Sequence, residues 1–165
     1  MWRMGRYRIE SQVLDDQPTA ACTATLQPDE IGRWLADVLP NIVRHLGRAG
    51  AGPTGPPYAR FHRIEAGRFD VEAGFPAATE VEGGDGVQPS HLPGGLVATT
   101  VHVGSYDDME PAYEELAEWL DERGGVPDGD AWEIYESDPE SEPDPSTWRT
   151  EIIQPYHRAR RRRAS

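Results

Sequence analysis

The second half of the chain repeats the pattern of its first half. A small, β-rich run occupies residues 18–26, and a similar run occupies 95–103. Each run leads into an amphipathic segment, and each half then supplies an aromatic pair and a closing motif with one glutamate. The corresponding residues are Tyr58 and Phe61 against Trp132 and Tyr135, and Glu72 against Glu151. We therefore expect two related halves with a cleft between them, and Glu72 and Glu151 as equivalent carboxylates beside it.

Each half has the pattern of a strand, a helix and two further strands. Apolar residues at three- and four-residue spacings predict helices at about 28–48 and 107–123, and shorter alternating runs predict the strands. A turn at 15–18 predicts that the strand at 6–14 pairs with its successor as a hairpin. The expected fold is α+β: a duplicated strand–helix–strand–strand module forming an antiparallel sheet, with two helices on one face and a ligand cleft between the halves.

Composition and charge limit the organisation and the partners. We expect one domain over 1–156, made of repeats at about 6–78 and 90–156, and a basic disordered tail over 157–165. The net charge is −13, although five arginines lie in the last eight residues. An acidic body repels nucleic acid and attracts cationic ligands. No apolar run approaches 18 residues and no signal-peptide pattern opens the chain, so we expect a cytoplasmic protein without a membrane span.

Several kinds of site lack their sequence signature. The five histidines are scattered and Cys22 is the single cysteine, so we expect no metal site. The glycine-rich phosphate loops and the GxSxG motif are absent, and no cofactor is expected. The repeated carboxylates and aromatic residues are the candidates that are left.

Strand alternation gives these carboxylates a direction. Glu151 points away from its neighbours Thr150 and Ile152, so it projects into the cleft if the helices cover the other face; the same holds for Glu72. A carboxylate among aromatic rings suits a lipophilic cation, because each ring adds about 0.5–2 kcal/mol of cation–π energy. The alternatives are exposed or ion-paired glutamates, aromatic residues that belong to the core, and a structural, rim or proton-transfer role for His102.

The chain resembles the GyrI-like small-molecule-binding family, the effector-binding domain of bacterial multidrug-responsive transcription activators. The most specific stretch runs from Leu92-Pro93-Gly94-Gly95 through Val101-His102-Val103-Gly104-Ser105-Tyr106. Glu133-Ile134-Tyr135 and Trp148-Arg149-Thr150-Glu151-Ile152 fit the rest of the pattern. The resemblance is stronger over 90–156 than over 6–78.

This resemblance implies a pocket and a class of ligand. It places the family's pocket glutamate on Glu151 and an aromatic wall on Trp132 and Tyr135, with Tyr58 and Phe61 opposite. The ligand-binding set expected from repeat and resemblance together also contains Glu72 and His102. The chain looks like a stand-alone member without a helix-turn-helix, so direct DNA binding is not expected.

Three functions stay open at this point. The first is binding of lipophilic, often cationic or planar small molecules, as multidrug recognition or sequestration. The second is hydrolysis of cyclopropane-bearing electrophilic natural products, as in some stand-alone relatives. Glu151 would be the acid or base that orients water, and Tyr135 or Trp132 would position the substrate. The third is inhibition of a partner protein such as DNA gyrase.

Overall fold

A computed structural model describes residues 5–139 and 141–159. The first half of the chain contains β1 (Glu10–Leu14), β2 (Gln17–Leu26), helix α1 (Pro28–Arg48), β3 (Tyr58–Arg63) and β4 (Phe69–Pro76). The second half contains β5 (Gln88–Leu92), β6 (Gly95–Val103), helix α2 (Glu110–Glu122), β7 (Gly125–Pro127), β8 (Trp132–Tyr135) and β9 (Arg149–Arg158). Residues 157 and 158 of the expected tail therefore belong to β9, and 160–165 lie outside the described residues.

One antiparallel sheet holds nearly all of these strands. Its order is β1-β6-β9-β8-β3-β4-β2-β5, and β7 pairs with the end of β9. The central six strands read β6-β9-β8 on one side and β3-β4-β2 on the other, so both halves have the same strand order about the β8–β3 pair. The expected α+β fold is confirmed.

The expected hairpin of the first two strands is wrong. Strand β1 pairs with β6, from Glu10 opposite Thr99 to Leu14 opposite Gly95, and β5 pairs with β2. Each outer strand thus borders the other half of the chain. The linkers that lead away from β1 and β5 cross in close contact, since a Cβ added to Gly94 would lie 2.7 Å from the Asp16 nitrogen. This crossing takes β1 away from β2.

Both helices lie on one face of the sheet. Helix α1 packs across β2 and β4, whereas α2 packs across β6 and β7. Ala59 of β3, Glu133 of β8 and Ile152 of β9 are register partners, so they point to the same face. Ala59 belongs to the core beneath α1, and Ile152 belongs to the core beneath α2. Strands β8 and β3 therefore lie beneath the gap between the helices.

The opposite face of the sheet forms a second core. Leu14 of β1 and Leu92 of β5 come from the two ends of the strand order, yet both pack in one cluster with Tyr58, Trp132 and Ile153. The sheet curls far enough for its end strands to meet over its centre. Among the described residues, no helix combines the length and the apolar character that crossing a membrane requires.

Candidate functional site

Helix α1 contacts β2 and β4, and helix α2 contacts β6 and β7. We call the space above β8 and β3, between the two helices, the interhelical groove. Its floor contains Glu133 and Tyr135 of β8 and Phe61 of β3. Tyr135 and Phe61 pack against the α1 side of the core, in one cluster with Leu35. Tyr113 of α2 reaches Glu133 from the other side. The groove thus has an aromatic floor with one carboxylate.

Glu133 is half-buried and bound by two tyrosines. Its carboxylate accepts hydrogen bonds from the hydroxyls of Tyr113 and Tyr135, the latter at 2.9 Å. Burial raises the pKa of Glu133, and the two hydrogen bonds and the nearby His102 oppose the rise. Glu133 has no ion-pair partner among the described residues. Its ionised form is therefore a negative charge in a partly apolar place without a paired cation.

The two tyrosines stay protonated donors. Burial raises the pKa of Tyr113 and of Tyr135, and the neighbouring Glu133 charge raises both further. Neither hydroxyl therefore loses its proton near neutral pH, and both continue to donate to Glu133. The carboxylate is held in one orientation by groups from a helix and from its own strand.

Aromatic rings continue from the floor to the rim of the groove. Tyr106 meets Tyr135 edge-on, with ring centroids 5.5 Å apart, and lies 4.8 Å from the Trp148 ring. The Trp148 indole donates a hydrogen bond of 2.6 Å to the Glu142 carbonyl. Tyr106 is 38% exposed. Its ring is therefore the part of this series that is most open to a ligand arriving from solvent.

His102 is buried behind this rim. Its Nε2 donates to the Ser105 carbonyl at 2.9 Å, and its Nδ1 accepts a hydrogen bond from Tyr7 at 3.0 Å. The ring is 1% exposed. Because Ser105 directly precedes Tyr106, His102 supports the rim through the backbone. The nearby Thr150 hydroxyl is buried and has no hydrogen-bond partner among the described residues.

Three of the expected site residues, Tyr58, Glu72 and Trp132, lie together on the other face of the sheet. Tyr58 is buried and donates a hydrogen bond of 2.7 Å to Glu72, which accepts another of 2.9 Å from Ser90. Trp132 is 1% exposed and has Arg60 over its ring at 5.9 Å. These side chains contact one another in the second core. The structure does not bring them together with Phe61, Tyr135 and His102.

Glu151 lies on this second face too, at its margin. It borders a shallow cavity of about 310 Å³ that is also lined by Glu10, Gln12, Thr99 and Val101. Burial raises the pKa of Glu151, and the charge of Glu136 adds to the rise. None of the described residues that line this cavity is aromatic. The expected pairing of Glu151 with Tyr135 does not form, since they project from opposite faces of the sheet.

The sequence contained a signal for Glu133 that the repeat obscured. Residues three apart in a strand point to opposite faces, so the pairs Tyr58/Phe61 and Trp132/Tyr135 are each divided by the sheet. The same alternation puts Glu133 beside Tyr135, on the Ile152 face that the helices cover. The residue that corresponds to Glu133 in the first half is Ala59, which is also its register partner between β3 and β8. The repeat therefore did not mark Glu133 as one of a pair of carboxylates.

Comparisons with known structures agree with this architecture. The C-terminal domain of EcmrR superposes with a TM-score of 0.82 at 18% identity, over 93% of this chain and 99% of that domain. A hydrolase from Listeria innocua superposes at 0.69 with 14% identity, over 93% of both chains. SAV2435, solved with tetraphenylphosphonium, superposes at 0.66 with 12% identity, over 91% of this chain and 94% of the other.

These comparisons also define the extent of the likeness. In the EcmrR–DNA complex, the present chain spans 58% of the length of EcmrR, at 19% identity and a TM-score of 0.81. No curated protein matches the sequence significantly. The sequence model of the GyrI-like small molecule binding domain matches residues 14–157. The chain therefore belongs to the GyrI-like small-molecule-binding family.

Proposed function

We propose that this protein binds lipophilic cations with aromatic rings in the interhelical groove, with Glu133 as the carboxylate that attracts them. The observation that carries the proposal is the Glu133 carboxylate itself. It lies on the groove floor, is oriented by two tyrosine hydroxyls, and has no paired cation among the described residues. A ligand cation would supply the missing countercharge.

Charge and aromatic contact act together in this arrangement. The attraction between opposite charges strengthens as water is displaced from the groove. Tyr106, Tyr135 and Trp148 offer ring faces, each of which contributes about 0.5–2 kcal/mol to binding of a cation. The chain's net charge of −13 also raises the local concentration of cations.

The groove favours a class of compounds over one compound. Its charged group is the Glu133 carboxylate, and the Tyr106, Tyr135 and Trp148 rings offer faces that do not demand one hydrogen-bonding pattern. We therefore extend the proposal to recognition or sequestration of several flat or propeller-shaped cations in the cytoplasm. Tetraphenylphosphonium is a suitable first probe, because SAV2435, which has the same fold, was solved with it.

Calorimetric titration with tetraphenylphosphonium tests this proposal. Glu133→Gln removes the charge, and its single amide oxygen still accepts a hydrogen bond from a tyrosine hydroxyl. We expect affinity to fall at least tenfold. Glu151→Gln is the matched control, the same substitution on the opposite face, and should change affinity less than twofold. Triphenylphosphine oxide, which carries no net charge, should bind weakly to all three proteins.

The opposite result would overturn the assignment. If Glu151→Gln abolished binding and Glu133→Gln left it unchanged, the ligand would occupy the 310 Å³ cavity beside Glu151. That result would support the pocket glutamate that the family resemblance implies. Equal binding of the cation and the neutral oxide would remove the role of charge altogether.

Hydrolysis is a second candidate because of one contact. Glu133 has a raised pKa and lies 2.9 Å from the Tyr135 hydroxyl, an arrangement suited to moving a proton to or from water. Water would add its hydroxyl to one carbon of a cleaved cyclopropane bond and its proton to the other carbon. Incubation with such an electrophile and mass spectrometry would show product from wild type and none from Glu133→Gln. Absence of product from wild type would exclude this activity for that compound.

A further inference from the structure

A second cavity lies on the outer flank of α2. Its volume is about 570 Å³, and it is bounded by the end of α2, the end of β9 and the edge strand β1. The side chains that matter are Ser11, Trp119, Arg123, Tyr156 and Arg158. We call it the outer cavity. Its size falls within the range of about 300–1000 Å³ that ligand sites in proteins occupy.

Two arginines give the outer cavity a charge opposite to that of the whole chain. The Arg123 guanidinium carbon lies 4.2 Å from the centre of the Trp119 ring. The distance from Arg123 Nη1 to the nearest Glu122 carboxylate oxygen is 3.8 Å, which is too long for a hydrogen bond. Arg158 has no ion-pair partner among the described residues. Both guanidinium groups therefore retain N–H donors that are not directed at a carboxylate, and guanidinium groups suit carboxylate and phosphate oxygens.

A hydroxyl pair adds one more donor. The Ser11 and Tyr156 hydroxyl oxygens are 2.7 Å apart, so one donates to the other. That bond uses one of the two hydroxyl hydrogens. Among the described residues, neither hydroxyl has another partner, and the second hydrogen is available to a ligand oxygen. Tyr156 is buried and also meets Trp119 edge-on at 6.1 Å, which gives the cavity an aromatic side.

From this arrangement we propose that the outer cavity binds a flat organic anion, an aryl carboxylate being the simplest example. The carboxylate would lie between Arg123, Arg158 and the hydroxyl pair, and the ring would contact Trp119 and Tyr156. The site is distinct from the interhelical groove. Tyr113 of α2 faces β8, whereas the outer cavity reaches β1 on the far side of the same helix. This inference does not rest on the proposed function.

Calorimetric titration of the full chain with 2-naphthoate tests the proposal. We expect saturable binding, and an affinity at least tenfold lower for 2-naphthamide, which has the same rings without the charge. Arg158→Gln should weaken naphthoate binding about tenfold, as expected for loss of a charge-assisted hydrogen bond. Trp119→Phe should weaken it by less, because a smaller ring stays in place.

The matched control is Arg48→Gln. Arg48 lies at the end of α1 in an ion pair of 2.9 Å with Asp85, and its loss changes the net charge by the same amount. We expect it to leave naphthoate affinity within twofold of wild type. Equal loss in Arg48→Gln and Arg158→Gln would show a general charge effect and overturn the site, as would equal binding of the naphthamide.

A competition experiment separates this site from the groove. Naphthoate affinity should be the same with and without saturating tetraphenylphosphonium. If naphthoate is displaced by the cation, the two share one site and the outer cavity is not the site of the anion. If tetraphenylphosphonium does not bind at all, the proposed function fails while the naphthoate series still decides this inference.

Discussion

Tyr113 of α2 donates its hydroxyl hydrogen to the Glu133 carboxylate of β8, and this bond joins a wall of the interhelical groove to its floor. It also ties a helix to a central strand over which neither helix lies directly. A ligand that draws the Glu133 carboxylate toward itself would act on α2 through this bond. The Tyr113–Glu133 hydrogen bond is therefore the first interaction whose contribution to the site should be measured.

Removing this hydroxyl should change the titration of Glu133. The hydrogen bond from Tyr113 favours the ionised carboxylate, so Tyr113→Phe should raise the pKa of Glu133 further. We also expect a loss of about 1–2 kcal/mol in the free energy of unfolding at neutral pH. Carboxyl-carbon NMR across a pH series measures the first effect, and urea denaturation measures the second.

Tyr106→Phe is the matched control for that change. This substitution also removes a tyrosine hydroxyl group, but the Tyr106 hydroxyl makes no hydrogen bond to a described residue. Its effect on unfolding should stay within about 0.5 kcal/mol. Indistinguishable Glu133 titrations in the two variants would contradict a significant hydrogen bond from Tyr113.

The Glu133 charge should lower stability while serving binding. Burial raises the pKa of Glu133 in the folded state, so folding favours the protonated carboxyl group. The stabilisation from the protonated group is fully present below the ordinary glutamate pKa, and it is lost as the pH rises through the pKa of Glu133 in the folded protein. Glu133→Gln should therefore be more stable than wild type at pH 7. The difference should shrink toward pH 4. Urea midpoints at several pH values measure it, and a constant difference would contradict the raised pKa.

Protonation of Glu133 should also weaken cation binding. The ionised carboxylate attracts the ligand, so tetraphenylphosphonium affinity should fall as pH drops through the pKa of Glu133. Since that pKa is raised, the fall should begin at a higher pH than for an exposed glutamate. In Glu133→Gln the residual affinity should not follow this pH dependence, which titrations from pH 4 to 8 would reveal.

Trp132 should matter for stability and not for the groove. Its side chain is 1% exposed in the second core, so Trp132→Ala should cost about 3–5 kcal/mol of unfolding free energy. Val13→Ala, at a residue that is 78% exposed, should change stability by no more than about 0.5 kcal/mol. The folded fraction of Trp132→Ala should bind tetraphenylphosphonium within twofold of the wild-type affinity. A tenfold loss of affinity would show that Trp132 contributes to the binding site.

His102 should carry its proton on Nε2. A carbonyl oxygen only accepts, so the 2.9 Å contact with Ser105 requires an N–H at Nε2, and Nδ1 then accepts from Tyr7. Long-range nitrogen–proton NMR should show this single tautomer. Tyr7→Phe removes the donor to Nδ1 and should cost about 1 kcal/mol of stability. A predominant Nδ1–H form in wild type would contradict the arrangement.

The sequence allowed much of the fold to be predicted, because local periodicity survives folding. Two amphipathic helices and alternating strands require a sheet with helices on one face, and the structure has that arrangement. Alternation also put Glu72 and Glu151 on the face without helices, as their register shows. Whether either binds a ligand stays a prediction. The prediction that β1 and β2 form a hairpin was wrong, because no local sequence pattern indicates that the backbone at Asp16 passes over Gly94.

The candidate site was harder to predict, since the repeat grouped residues by order along the chain and a pocket groups them by face. An aromatic pair with three-residue spacing reads as one motif, yet the sheet separates Trp132 from Tyr135. Glu133 was passed over because it has no counterpart in the first half. Its importance comes from Tyr113, twenty positions earlier along the chain, which only the docking of α2 brings within hydrogen-bonding distance.

The sequence by itself determined the two helices, most of the strands, the face each residue of those strands occupies and the family, whereas β5 and β7 were not predicted. Those properties follow from short-range spacing and from the order of motifs. The tertiary structure alone decided which face is filled and which stays open. The sheet curls until Leu14 and Leu92 meet over Trp132, which closes one face as a core. Helix α1 packs over β2 and β4 and helix α2 over β6 and β7, which leaves β8 between them, so the open carboxylate among aromatic rings is Glu133.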